Sequence, residues 1–259
     1  MSKTETLLNT LDQKGESALI GYFPAGYPTV EASVEACVAM CESGIDILEL
    51  GIPYSDPVMD GLVIQVATEE ALTNGFKLSM FFDLLKQITS RVSTPVLVMS
   101  YWNPIMQYGV ERFARDLKAA GGAGLITPDL IPDEAADWLN ISDELELDRV
   151  FMATPSSSQA RLDQVARLSR GFIYAVSTMG ITGAREDVDA KARGVVSGVK
   201  STSTKVPVCV GIGISTAEQV SEVNTYADGA IVGSVFIKAY RDGGVEELIR
   251  VVKQLKGGN

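Results

Sequence analysis

Short apolar and β-branched runs alternate along the chain with longer stretches in which apolar positions recur at helical spacing. Eight runs have the length and character of strands: residues 18–23, 45–50, 95–99, 123–127, 149–152, 172–176, 207–211 and 229–232. Helical patterns lie between them, for example at 30–42, 110–119, 159–168 and 216–225. Strands that alternate with helices predict βαβ units and a parallel sheet.

Eight such units in 259 residues average about 32 residues each, which suits a (β/α)8 TIM barrel. An open doubly wound sheet is the alternative, but it would carry a glycine-rich dinucleotide turn after an early strand, and none is present. No linker or charge block divides the chain. We therefore predict an α/β fold, a single TIM-barrel domain over residues 1–259, with a short extra N-terminal helix at 4–11 covering the bottom of the barrel.

The amino-acid composition excludes several kinds of catalytic site and disfavours some classes of partner. The chain has no histidine, so imidazole-based triads, dyads and metal sites are excluded, and acid–base work falls to Asp, Glu, Tyr or Lys. A net charge of −11 disfavours nucleic acid and anionic membranes as partners. The polar N-terminus and the three cysteines predict a cytoplasmic protein without a disulfide framework, and no apolar run approaches the length of a membrane span.

Acidic residues cluster where the second predicted strand ends, and in a barrel the active site lies at that end of the strands. Glu49 lies within an apolar run and shares a face with Ile45 and Ile47, so it is expected to be buried with a raised pKa, as a general acid requires. A structural ion pair is the alternative role for Glu49. Asp56 and Asp60 follow in the same loop, although each is also a good turn former.

Glycines follow the last three predicted strands: Gly183, then Gly211 and Gly213, then Gly233 with Ser234. Such turns let the backbone approach a phosphate, and the helix that begins near Ser234 would direct N–H groups at it. An acidic protein could hold an anionic substrate in this way. Closing tight turns is the simpler explanation for any one of these glycines.

Aromatic residues near the same mouth include Tyr22, Tyr101 and Tyr174, which could wall a pocket for a flat ring, although each taken singly is more simply a core residue. Lys205 precedes its strand and Lys238 lies beyond the last turn. A Schiff-base aldolase needs a lysine at a strand end, so covalent aldolase chemistry is disfavoured.

Together these segments resemble one family, the alpha subunit of tryptophan synthase. The stretch from Leu48 to Gly61 is similar to the family's signature. Further matches in order and spacing are Pro128-Asp129, Tyr174 and the segments 180–183, 211–215 and 232–234, so the resemblance covers essentially the whole chain.

The resemblance implies cleavage of indole-3-glycerol phosphate to indole and glyceraldehyde 3-phosphate. It implies that Glu49 acts as acid and base, that Asp60 stabilises charge on the indole, and that Tyr174 closes the pocket. Ring-pocket positions match Tyr22 and Tyr101. The phosphate would be held by Gly183, Gly213, Gly233 and Ser234.

The family usually works as an α2β2 complex with a beta subunit that carries pyridoxal phosphate, so the resemblance implies no cofactor or metal in this chain. The barrel mouth would face the partner, with Asp56 and Thr182 taking part in gating. Two departures from the family pattern, Leu62 in place of a proline and Thr178 in place of an arginine, bear on loop closure.

Several alternatives stay open at this point. The chain could be a stand-alone indole-releasing lyase, or a catalytically weak barrel that acts as an allosteric partner of a beta subunit. Another phosphate-binding barrel, such as a ribulose-phosphate epimerase or indole-glycerol-phosphate synthase, is disfavoured by the absence of histidine and of strand-end lysines.

Overall fold

Parallel strands form the centre of the chain in a computed structural model that describes residues 2–176, 185–211 and 213–257. Within these ranges the strands are β1 (Ala18–Pro24), β2 (Ile47–Gly51), β3 (Val96–Met99), β4 (Gly124–Ile126), β5 (Asp148–Val150), β6 (Met152–Ala153), β7 (Ile173–Val176), β8 (Val208–Gly211) and β9 (Gly229–Val232). Their order in the sheet is β5-β4-β3-β2-β1-β9-β8-β7-β6, with every pairing parallel.

The two ends of this sheet meet at Phe151, so the sheet closes into a nearly complete barrel. Sequence predicted one strand at 149–152, whereas the structure has two short strands, β5 and β6, on either side of Phe151. The physical reason is a change of partner, because β5 pairs with β4 while β6 pairs with β7. The predicted (β/α)8 barrel is confirmed, with its fifth strand divided at the point of closure.

Eleven α-helices of the described chain surround the barrel: α1 (Lys3–Gln13), α2 (Val30–Glu42), α3 (Leu62–Thr73), α4 (Leu78–Thr89), α5 (Trp102–Tyr108), α6 (Val110–Ala119), α7 (Ala136–Glu144), α8 (Gln159–Leu168), α9 (Arg185–Lys200), α10 (Ala217–Val223) and α11 (Ser234–Lys256). A 3₁₀ turn covers Pro132–Glu134. Helix α11 contains non-helical backbone at Gly243 and Gly244, which divides it into a short first part and a longer second part.

Helix α1 covers the bottom of the barrel, as predicted. Ser2 and Glu5 form a capping box that fixes its first turn. The Glu5 carboxylate also accepts a hydrogen bond from the backbone N–H of Gly171, just before β7. Side chains of Ser2 and Thr4 interact with the buried Asp148 carboxylate at the start of β5. The helix therefore contacts the N-terminal ends of two strands.

The core extends from the barrel interior to the layer between strands and helices, and includes Phe23, Phe81, Phe113, Phe172 and Phe236, all fully buried. In the part of the chain that is described, no helix combines the length and apolar character that a membrane crossing requires. The C-terminal ends of the strands are left for the loops that carry the candidate chemistry.

Candidate active site

Strand register brings two predicted site residues together inside the barrel. Tyr22 of β1 lies directly opposite Glu49 of β2, and paired residues on parallel neighbours project to the same side of a sheet. Both side chains are buried. The alternation predicted for the second strand therefore places Glu49 among the inward-facing residues.

Glu49 is a buried carboxyl group with few interactions that offset its loss of hydration. Its side chain is 3% exposed, and Oε2 has no hydrogen-bond partner among the described residues. Loss of hydration raises the pKa of Glu49 to about 8, with a smaller contribution from the negative charge of Asp60. No cation neutralises it in an ion pair of the described chain, so the structural alternative to a catalytic role finds no support.

Asp60 lies in the loop between β2 and α3 and is half-buried. Burial raises the pKa of Asp60 to about 6, and a hydrogen bond from the Tyr101 hydroxyl opposes the increase. The backbone carbonyl of Asp60 accepts a hydrogen bond of 2.7 Å from the Gln65 side-chain amide. The side-chain carboxyl group and the backbone carbonyl of Asp60 thus both interact with neighbouring side chains.

The two carboxyl groups have different charge states at neutral pH. With pKa values of about 8 and about 6, Glu49 is mostly protonated and Asp60 mostly ionised. A protonated acid beside a fixed negative charge can donate a proton to a substrate and stabilise the positive charge that results.

Tyrosine rings complete this end of the barrel interior. Burial raises the pKa of the Tyr22 and Tyr174 phenols well above the ordinary value, and the charges of Glu49 and Asp60 raise it further. Both hydroxyls therefore stay protonated and can donate hydrogen bonds at any physiological pH. The structure brings these two tyrosines and both carboxyl groups close enough for the charges of the carboxylates to affect the pKa of each phenol.

Two glycines at strand ends make room for these rings, a role that sequence analysis did not identify. A Cβ atom on Gly51 would lie 2.3 Å from the Tyr22 hydroxyl, and one on Gly211 would lie 2.2 Å from the Tyr174 hydroxyl. A Cβ atom on Gly233 would lie 3.3 Å from the Cβ of Tyr22. Only residues without a side chain fit beside the tyrosines at Gly51 and Gly211.

Replacing Gly211 by alanine is therefore expected to displace the Tyr174 ring. Overpacking of this kind costs about 1–3 kcal/mol, so G211A should unfold at lower urea concentration and lose affinity for a ring-bearing ligand. Gly194→Ala is the matched control, because Gly194 lies in α9 with no neighbouring atom within 4 Å. An unchanged denaturation midpoint in G211A would contradict the steric argument.

The predicted phosphate-binding turns lie side by side. Because β8 and β9 are neighbours in the sheet, Gly213 and Gly233 follow their strands at the same edge of the barrel. Gly213 has a φ of 82°, and no atom lies within 4 Å of the place a Cβ would occupy. Ser234 begins α11, where the first backbone N–H groups have no partner within the helix. Gly183 lies outside the described residues.

The remaining predicted residues are not all brought to this site. The Tyr101 hydroxyl accepts a hydrogen bond of 3.0 Å from the Met59 backbone N–H, so it contacts the Asp60 loop. Asp56 is exposed, and its carboxylate accepts a hydrogen bond of 2.6 Å from the neighbouring Ser55 hydroxyl. Thr182 lies outside the described residues.

Across the described ranges, no group of three or more Cys, Asp or Glu side chains is arranged to hold a metal ion.

Comparison with known proteins identifies one family. A family model described as "Tryptophan synthase alpha chain" matches residues 8–256. The tryptophan synthase alpha chain of Leifsonia xyli is 60% identical over 248 residues, which cover 95% of each chain.

Solved structures agree with this match over the whole barrel. A Mycobacterium tuberculosis tryptophan synthase chain superposes with a TM-score of 0.92 at 46% identity, covering 99% of this chain and 98% of that one. A chain of the tryptophan synthase complex from Pyrococcus furiosus superposes with a TM-score of 0.84 at 32% identity, covering 93% and 98%.

Proposed function

Because the chain belongs to the tryptophan synthase alpha chain family, a family of lyases, we propose that it cleaves indole-3-glycerol phosphate to indole and glyceraldehyde 3-phosphate. The observation that carries the proposal is the pair formed by a protonated Glu49 and an ionised Asp60 inside the barrel. This pair matches the proton and charge requirements of the reaction.

The reaction needs one proton moved from oxygen to carbon. Glu49 donates its proton to C3 of the indole ring, which leaves the ring positively charged. The resulting Glu49 carboxylate then removes the proton of the glycerol hydroxyl beside the breaking bond. As the carbon–carbon bond breaks, its electrons neutralise the ring, the hydroxyl becomes the aldehyde, and Glu49 is again protonated.

Asp60 and the tyrosines supply the surroundings for these two transfers. An ionised Asp60 accepts a hydrogen bond from the indole N–H and stabilises the positive charge that develops on the ring. The aromatic walls are formed by the buried Tyr22 and Tyr101 and the half-buried Tyr174, which limit the access of water to the reacting carbon. No step requires a metal ion or an organic cofactor in this chain.

The substrate phosphate would bind at Gly213, Gly233 and Ser234, with Gly183 as a further proposed ligand. Backbone N–H groups at the start of α11 are favourable partners for a dianion, even in a protein with a net charge of −11. The Ser234 hydroxyl adds one more donor.

A carboxylate at position 234 tests this assignment. Asp is favourable in the first turn of a helix, so S234D should fold normally, but its charge would repel the phosphate. We expect KM for indole-3-glycerol phosphate to rise at least about tenfold, since close like charges cost several kcal/mol. The same variant assayed with dephosphorylated indole-3-glycerol serves as the control, and an equal loss on both substrates would refute the phosphate assignment.

A beta subunit is the proposed partner, and the solved relatives include a tryptophan synthase complex. Five of the six exposed large apolar side chains of the described chain lie in segments that follow β2, β3 or β4, namely Val58, Leu62, Val66, Met106 and Ile131, whereas the sixth, Met80, lies in α4. An apolar surface at this mouth favours docking of another protein directly over the site. The exposed Asp56 lies in the same loop, consistent with its proposed role in gating with Thr182.

The defining experiment measures indole release from indole-3-glycerol phosphate by the purified chain, alone and with a beta subunit. Stimulation by the partner, in buffer containing a metal chelator, is the expected result. Fast release without a partner would favour a stand-alone lyase. No release under either condition would refute the proposed activity and leave a binding role for the barrel.

A further inference from the structure

The Tyr101 hydroxyl is the contact point between β3 and the loop that carries Asp60. Tyr101 lies two residues after β3, is buried, and is the N-cap residue of α5. Its oxygen accepts the Met59 N–H at 3.0 Å and also interacts with the Val58 backbone. The same hydroxyl lies close enough to the Asp60 carboxylate to lower the pKa of that carboxyl by hydrogen bonding. One phenol oxygen thus uses its donor and its acceptor capacity on three consecutive residues of one loop.

A second ring holds Tyr101 in this position. Tyr54 and Tyr101 pack with ring centroids 5.3 Å apart, and the Tyr54 hydroxyl accepts a hydrogen bond of 3.2 Å from the Asn103 side-chain amide. Nearby, the Asp129 carboxylate accepts the Trp102 N–H at 2.9 Å, which fixes the start of α5. The Tyr101 ring therefore packs on a neighbouring ring, and its backbone leads into a helix whose start is held in place.

We propose that Tyr101 is a positioning residue for the cleavage reaction: its hydroxyl holds the loop backbone at Met59 and, from the same oxygen, orients the Asp60 carboxylate toward the substrate ring. The proposal rests on the proposed function and adds a role for the hydroxyl group, beyond that of a ring that borders the indole pocket. A carboxylate fixed in this way does not need to reorganise when charge develops on the indole.

Among the residues that the structure describes, the titratable groups that face Asp60 are Glu49 on β2, Tyr22 on β1, Tyr101 after β3 and Tyr174 on β7. Of these, Tyr101 alone stabilises the ionised form of Asp60, because it donates a hydrogen bond to the carboxylate. Glu49 is mostly neutral below its pKa of about 8, so the acid limb of the reaction reports chiefly on Asp60.

Tyr101→Phe tests the proposal, because it keeps the ring and removes only the hydroxyl. We expect kcat to fall about tenfold with KM within about twofold of wild type, since the hydrogen bond acts on the charged group. The acid limb of the kcat/KM profile should move upward by about one pH unit. Tyr54→Phe is the matched control: it loses the Asn103 bond but leaves the Asp60 limb in place.

Two further measurements separate positioning from general packing. In the double variant Y101F/D60N, activity should equal that of D60N alone, whereas additive losses would overturn the proposal. Titration of the Asp60 carboxyl by carbon NMR in the full chain should show the same upward shift in Y101F. An unshifted Asp60 would also overturn it. Because the NMR titration needs no substrate, it tests Tyr101 even if the chain releases no indole.

Discussion

Glu49→Gln is expected to reduce indole release by about 10²–10⁴-fold, the loss typical of removing one positioned acid–base group. Glutamine has nearly the same shape and fits the same buried position, but it cannot donate a proton to the ring or take one from the hydroxyl. Both transfers depend on one group, so the chemical step loses its donor and its acceptor at once. Steady-state kinetics with saturating beta subunit measure the effect.

A binding measurement serves as control for this variant. E49Q should bind the substrate with an affinity close to that of wild type, because the substitution leaves the proposed phosphate contacts at Gly213, Gly233 and Ser234 unchanged. Weak binding together with lost activity would indicate a collapsed site. Activity within about tenfold of wild type would show that another group carries the proton.

The same substitution should stabilise the folded chain. The pKa of Glu49 is raised from 4.5 to about 8, so between those values the folded state holds a proton that the unfolded state has released. The free energy of unfolding contributed by Glu49 therefore falls as pH rises through this window. At neutral pH, E49Q should be more stable by about 3 kcal/mol. Urea denaturation should show the difference vanish near pH 4, at about the ordinary pKa of glutamate.

Asp60→Asn is expected to reduce kcat by about 10²–10³-fold, the scale found when a preorganised group that stabilises transition-state charge is removed. Asparagine can still accept a hydrogen bond from the indole N–H, so the loss isolates the negative charge. KM should change little, because the ground-state ring is neutral.

The pH profile gives D60N a signature of its own. Wild-type kcat/KM should be bell-shaped, with an acid limb near 6 from Asp60 and a basic limb near 8 from Glu49. The variant should lose the acid limb. Its basic limb should move to lower pH, since the Asp60 charge raises the pKa of Glu49. A basic limb that stays in place would show that the two groups do not interact.

Sequence alone predicted the features that depend on local pattern. The alternation of side chains along a strand placed Glu49 on the inward face, and the apolar neighbours Ile47, Leu48 and Leu50 indicated that this strand is buried. The order of strands and helices predicted the barrel, because βαβ units have few ways to pack. Helices α2, α6 and α8 begin and end where their periodicity indicated.

Features that depend on distant neighbours could not be predicted. The contact between Met59 and Tyr101 joins residues 42 positions apart, and nothing local marks it. Gly51 and Gly211 are the last residues of β2 and β8, and only the packed rings show why no side chain fits there. The division of the fifth strand at Phe151 results from barrel closure, which no single segment encodes.

The change of pairing partner at Phe151 also determines where the barrel can open locally. Pairings on either side of it are short, three residues between β4 and β5 and two between β6 and β7. Tyr22, Glu49, Tyr174 and the two proposed phosphate-binding turns belong to or follow β1, β2, β7, β8 and β9, and these five strands are contiguous in the sheet. Amide hydrogen exchange should therefore begin at the seam, as local opening follows the weakest pairing. The five strands behind the chemistry can stay paired with one another while the barrel opens at the seam, which borders β7.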